Sequence, residues 1–477
     1  MKKLAIPLSL IAIAAVATVG FLLIQKAAKT KALIAEAVPE IPASKIQPEE
    51  LLQRVKKSSE QAKEGPEELE GLKELSRLYH ANGLTNEAWK CYATLIVADP
   101  SEPRWPYQLG RILAGYGRLE EATPLFEKTV DLAPDYLPAR IRLGDTLLKQ
   151  NLTKEAGKVY QGVLSKDESN AYALVGVARV AIADGDWQLA RKHLEQSVQA
   201  TNFQIGADLL GDVYKQLGLS GKERIVLQNM EWGSYADIPD PWSLTLMDDC
   251  YDAYQVSIAG GWVAHQGDKR TGFRYIKRAA DLDPNTAIYQ YQLAGAYMDL
   301  NDPENAEIHF RRCVEIQPSF GDAWLALISI ARDRNSPTSA RRILEEGLKA
   351  APESPSLNIE KGNVLVAQRQ FEKAYPYFHR SIELRSHEAG GFIALAQAYI
   401  KEGRIEEGME QMREALVREP ANPIVLSSMA FDAIMKSDKS AADKWFKRIR
   451  QQARFLPEDL NRIESMYFEV FGTAAPK

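Results

Sequence analysis

Cysteine is scarce, with three residues (Cys91, Cys250 and Cys313) in a chain of 477. No CxxC pair occurs, so the chain has neither a disulfide framework nor a thiolate metal-site pattern. Histidine is equally thin. His80, His193, His265, His309, His379 and His387 are scattered without paired ligand spacing, and no metal site is expected. A net charge of −5 is too small to imply nucleic acid or an acidic tail. There is no Walker-type GK[ST], and Gly115-Tyr116-Gly117 lacks both the third glycine and the preceding strand of a dinucleotide loop, so no cofactor is expected. Acid pairs such as Glu120-Glu121 and Glu406-Glu407 stand at helix starts, where carboxylates stabilise the positive end of the helix dipole. No nucleophile, base and orienting group converge anywhere, so no catalytic residue is assigned and the chain is expected not to be an enzyme.

What the chain does have begins with Leu4–Ile24, an uncharged apolar run of 21 residues behind Lys2 and Lys3 and ahead of Lys26, Lys29 and Lys31. About 20 helical residues cross roughly 30 Å of hydrocarbon, so residues 1–25 are expected to be a transmembrane signal-anchor contacting the bilayer through 4–24. The alternative is a cleaved signal at Ala15-Val16-Ala17 or Ala35-Glu36-Ala37, although Val19–Ile24 prolongs the apolar run past the first of these. Lysines on both sides nearly cancel the positive-inside rule. The short lysine-bearing start suits a bacterial inner-membrane anchor, single-pass, with the rest in the periplasm; a cytoplasmic orientation is the alternative. Residues 26–68 read as linker plus an N-terminal cap helix: alanine and lysine, then Pro39, Pro42 and Pro48, suit a tether, and Leu51, Leu52, Val55 and Ala62 form one apolar stripe.

Beyond that the chain repeats. In AIYQYQLAGAYMDLNDPENAEIHFRRCVEIQP (287–318), Leu293, Ala294 and Tyr297 share one helical stripe and Ala306, Phe310 and Cys313 another. Asn301 to Pro303 breaks the two helices and Pro318 ends the second. Pro284, Pro318, Pro352 and Pro420 recur at multiples of 34 residues, as do Pro100 and Pro134 upstream. The two registers differ by 14 residues beyond whole periods, which places one insertion near Trp232 to Asp252. Small residues recur in the first helices (Gly110, Gly144, Gly211, Gly260, Ala294, Gly362, Ala396, Ala430). In the second helices an alanine precedes a bulky residue by four positions, as in Ala88/Tyr92, Ala122/Phe126, Ala156/Tyr160, Ala306/Phe310, Ala374/Phe378 and Ala442/Phe446. Small residues let two helix backbones approach while a ring fills the space beside them.

These units resemble tetratricopeptide repeats, whose period is a 34-residue helix-turn-helix. The resemblance implies an all-α fold: a right-handed α-solenoid of about eleven helical hairpins between Leu69 and Arg454, preceded by one transmembrane helix and ended by a capping helix. The expected divisions are a first half of the array at 69–231, an insertion at 232–252, a second half at 253–456, and a capping helix with tail at 457–477. In the last of these Leu460, Ile463, Tyr467 and Phe471 recur at helical spacing; a partner-binding helix is the alternative. The insertion reads as a loop and short helix, its Asp248, Asp249 and Asp252 lacking the order of a Ca²⁺ loop.

The resemblance further implies that first helices line a groove holding an extended segment or helix of another protein. The implied wall positions are Arg77, Tyr107, Arg111, Tyr172 and Arg179 in the first half, with Asp145 interposed, and Tyr254, Tyr291, Ile359, Asn363, Ile393 and Gln397 in the second. Arginine offers planar charge-assisted donors and stacks on rings, so the first half suits an acidic or aromatic segment; the alternative is ordinary solvated or packed helix residues. Relatives that clamp a chaperone's C-terminal carboxylate use lysine and asparagine columns. Lys73 fits one, but Arg77 and Gln108 replace the asparagines, against chaperone docking. The expected function is a noncatalytic, membrane-anchored scaffold binding protein or peptide partners, for bacterial envelope assembly, secretion or surface-polymer synthesis. The alternatives are a soluble periplasmic or secreted adaptor, an enzyme with a cryptic site in the insertion, and homo-oligomerisation through the groove or terminal face.

Overall fold

The computed structural model describes residues 28–64, 67–201, 204–219, 238–450 and 457–476, with Gln25. Among these residues every regular element is a helix. The chain divides into two compact units, Met1–Ala259 and Gly260–Lys477.

The local rule that makes the hairpins is visible in the backbone. Residues with positive φ fall at Gly83, Gly117, Asn151 and Gly185, and again at Gly267, Asn301, Asn335, Arg369, Gly403 and Ser437, each step within a set being 34 residues. Glycine and asparagine dominate because the left-handed conformation clashes with ordinary side chains. Each such residue closes a first helix. The N–H of the following residue donates to the carbonyl five positions back, as from Leu84 to Tyr79 (2.9 Å), Arg118 to Leu113 (2.9 Å), Asp302 to Tyr297 (2.9 Å) and Ser336 to Ala331 (2.9 Å), satisfying carbonyls that a helix end leaves unpaired. Asp186, Asp268, Asp302 and Asp438 then accept from the N–H three residues on, capping the second helix.

Packing follows the small-large columns. In the first unit a Cβ built on Gly110 would lie 3.0 Å from the Phe126 ring, and one on Gly144 would lie 2.5 Å from the Tyr160 ring. In the second unit a Cβ on Gly362 would lie 2.4 Å from the Phe378 ring. Tyr92, Phe126, Tyr160, Phe378 and Phe446 are fully buried; burying each such side chain contributes about 1.5–3 kcal/mol. Helix pairs of this kind run from Glu68–Ala81 with Thr85–Ala98 through Ala171–Ala183 with Trp187–Ala200 in the first unit, followed by Gln204–Gln216. In the second unit the complete pairs run from Ala287–Asp299 with Pro303–Ile316 to Pro423–Met435 with Lys439–Arg450. The helix Ala253–His265, which precedes Lys269–Leu282, contains the division between the units.

Both array ends are covered. Glu49–Glu64 packs on Glu68–Ala81 through Leu51, Val55 and Ala62, as the apolar stripe predicts. The segment before it corrects the tether expectation: residues 28–37 are helical, and Ile34, Val38 and Ile46 are buried in the first unit's core. Three apolar side chains spaced through a proline-broken stretch are enough to dock it. At the other end Pro457–Phe471 is a helix whose Ile463 and Tyr467 are buried with Leu426, Ala430 and Phe446. Among the described residues no helix is long and apolar enough to cross a membrane; the expected span Leu4–Ile24 lies outside them.

Candidate functional site

Residues 238–252 of the insertion fold back into the first unit and lie along the first helices. Asp240 caps the short helix Pro241–Leu244, accepting from Ser243 N (3.1 Å) and Ser243 Oγ (2.6 Å). The same carboxylate reaches across the array. It accepts from Tyr107 Oη (2.7 Å) and Tyr136 Oη (2.5 Å) and lies 3.7 Å from Arg111 Nε. Arg111 also donates to Ser243 Oγ. Burial alone would raise the pKa of Asp240, but Arg111 and the three hydroxyl donors outweigh it and hold the carboxyl below its ordinary range. Tyr107 and Tyr136 move the other way, pushed up by burial and by the Asp240 charge they donate to.

Trp242 sits beside this cluster. Its ring stacks on Tyr136 with centroids 3.5 Å apart and an interplanar angle of 12°, and meets the edge of Tyr107 at 5.5 Å and 79°. Such ring pairs contribute about 0.5–1.5 kcal/mol beyond area burial.

Nine residues on, Asp249 occupies a second station. It accepts from Arg54 Nη2 (2.8 Å) and Arg77 Nε (2.9 Å) with its side chain 11% exposed. Arg54 belongs to the cap helix Glu49–Glu64 and also binds Glu74 (3.0 Å) and Tyr251 Oη (3.4 Å). Beside it the Asn82 amide reads the backbone, Nδ2 donating to the Asp249 carbonyl (2.8 Å) and Oδ1 accepting from Tyr251 N–H (2.8 Å). Leu246, between the two stations, and Cys250, just past the second, are buried.

The expected wall residues thus divide into three groups. Arg77, Tyr107 and Arg111 come together on one face and hold an acidic-aromatic segment, but that segment is the chain's own, and Tyr107 is fully buried in consequence. Tyr172 and Arg179 line a separate cavity of about 400 Å³ with Arg142 and Asp145; Arg179 there pairs with Asp145 at 3.3 Å. Of the remaining positions Asn363 and Gln397 are exposed, Tyr254 is 64% exposed, and Ile359 is half-buried. Tyr291 packs against Phe310 and Phe320, and Ile393 is buried in the second unit's core. Those two side chains take part in packing within the second unit. Lys73 is paired with Glu70 (3.1 Å) and Asp99 (3.2 Å), which spends the charge a carboxylate clamp would need. Among the described residues no group of His, Cys, Asp and Glu could hold a metal ion.

Sequence reasoning missed Arg54, Asn82 and Tyr136. Asn82 precedes the positive-φ Gly83 and passes for a turn residue; Tyr136 stands just ahead of its helix, outside any first-helix column. In the second unit a cavity of about 660 Å³ is lined by Gln397, Ile400, Ile405, Phe431, Met435 and Met466.

Comparison with known proteins bears on the repeats themselves. Family descriptions reading "Tetratricopeptide repeat" match residues 113–167, 287–320, and 141–205 with 359–423. The chain is 24% identical over 310 residues to human protein O-mannosyl-transferase TMTC3, covering 65% of this chain and 29% of that protein. It is 22% identical over 306 residues to the Arabidopsis thaliana protein CTR9 homolog, covering 61% of this chain and 27% of that protein. The chain therefore spans less than a third of the length of these curated relatives. Among solved structures, yeast Tom70 aligns at 14% identity over 85% of this chain and 97% of that one, with a TM-score of 0.40. The chain carries tetratricopeptide repeats in both of its units.

Proposed function

We propose that the chain is a noncatalytic scaffold that recruits partner proteins through the first-helix faces of its repeats. The observation that carries this reading is the grip on residues 238–251: guanidinium groups, tyrosine hydroxyls and an asparagine amide on the cap helix, the repeat helices and their ends hold a polypeptide by its acids, its ring and its backbone. A face with that chemistry binds protein segments. The apolar run Leu4–Ile24 supports anchoring at a bacterial inner membrane with the repeats in the periplasm, in envelope assembly, secretion or surface-polymer synthesis. Anchoring raises the local concentration of whatever is bound, so modest affinities suffice to assemble a complex.

In-cell photocrosslinking from Asn363 and Gln397, both exposed on first helices, tests recruitment against Val97, 65% exposed on a second helix. Protein adducts from the first two positions and not from Val97 are expected; the same adducts from all three would overturn the reading. Reporter fusions on either side of Leu4–Ile24 give the orientation, and mass spectrometry of the mature N-terminus separates anchor from cleaved signal.

A further inference from the structure

Residues 238–251 meet the first unit as a ligand meets a receptor. Their partners lie 104 to 195 positions away in sequence, at Tyr136, Tyr107, Arg77 and Arg54, so the contact is the docking of a separate segment and not a local turn. It has two anionic stations nine residues apart, each closed by arginine: Asp240 on Arg111 and Asp249 on Arg54 and Arg77. Between them Trp242 lies on the Tyr136 face. At the second station Asn82 takes a carbonyl and an N–H of the main chain, which any peptide offers. Arginine forks and ring faces recognise carboxylates and aromatics wherever these come from, and the same donors cannot serve two segments at once.

Resting on the recruitment reading above, we infer that residues 238–251 are an internal stand-in for an external ligand. That ligand is a protein segment with an acidic residue, an aromatic residue two positions on and a second acidic residue nine positions on, and it reaches the first unit only by displacing the internal copy. Wild-type protein is therefore self-blocked at this face. An internal ligand acts at an effective concentration of roughly millimolar, so removing it strengthens external binding by about tenfold or more.

The test uses the full chain and a labelled synthetic peptide of residues 238–251. Two variants open the face independently, Asp240→Asn with Asp249→Asn, and Trp242→Ala with Tyr251→Ala; each is confirmed folded by its melting transition, so one failing to fold leaves the other. Binding to an opened variant at least tenfold tighter than to wild type, lost when Arg77→Ala and Arg111→Ala are added, is expected. Equal binding to wild type, no binding to any folded opened variant, equal binding of a scrambled peptide, or binding that survives the two arginine changes would each overturn the inference. Crosslinks at Gln397 without peptide binding sink this inference alone. Peptide binding without any partner adduct sinks the recruitment reading and leaves the self-block standing.

Discussion

At the scale of single residues, the repeat columns act through distances too short for a larger side chain. The Tyr160 ring is held between Gly144 and Gly176, where added Cβ atoms would sit 2.5 and 2.4 Å away. Gly144→Leu is therefore expected to destabilise the first unit by about 1–3 kcal/mol through overpacking, read as a shift in urea midpoint; an unchanged midpoint would mean the ring has room to move. His80 gives a prediction in pH. Burial first, and Arg111 second, push its imidazole down to about 3, with Asp240 opposing and Tyr92 Oη 3.2 Å from Nδ1. A base with a folded value below its unfolded one binds fewer protons when folded, so stability is complete above about pH 6.5 and falls as pH drops from there toward 3. Carboxylates titrate mostly below pH 4.5, so the window from 6.5 to 4.5 isolates the histidines. His80→Gln is expected to remove a slope of up to roughly 1.4 kcal/mol per pH unit in that window, measured by chemical denaturation; a slope equal to wild type would show that His80 is solvated. Gly144 was legible because glycine recurred at its column. Asn82 and Arg54 were not, since a polar residue at a helix end or on a cap helix already has a local explanation.

At the scale of elements, periodicity located almost every helix, including the cap at Pro457–Phe471 with Ile463 and Tyr467 turned inward. It missed the helical stretch 28–37 because alanine and lysine without a dense apolar stripe resemble a linker; one buried side chain, Ile34, decides the matter there. Solenoid ends are where an apolar face has no neighbouring repeat. Removing residues 457–477 uncovers Leu426, Ala430 and Phe446, which pack with Ile463 and Tyr467. The truncated protein is expected to aggregate and to melt at lower temperature, followed by light scattering and calorimetry. A monomer with unchanged melting would show that the helix covers nothing essential.

At the scale of the whole molecule, local rules fix the hairpins but not where an irregular segment goes. The insertion has no period to read, and the path of residues 238–251 is set by Asp240 and Asp249 finding arginines and tyrosines more than 100 residues earlier. The chemistry of the wall was legible, as an arginine-tyrosine face for an acidic or aromatic segment; the identity of the occupant was not, because charge complementarity does not say which chain supplies the charge. The geometry makes the segment a clasp as well as an occupant, since it touches the cap helix Glu49–Glu64, the helices Glu68–Ala81 and Arg104–Gly115, and Tyr136 ahead of Leu137–Lys149. Repeat stability is a sum of neighbour terms, so loosening a clasp acts locally. In the Asp240→Asn, Asp249→Asn variant, amides of residues 68–149 are expected to exchange with solvent faster while those of 287–450 keep wild-type protection, because opening free energies follow the contacts of each region. Uniform loss of protection across both units would require the segment to support the entire array, and no change anywhere would reduce it to a passenger on helices that are stable without it.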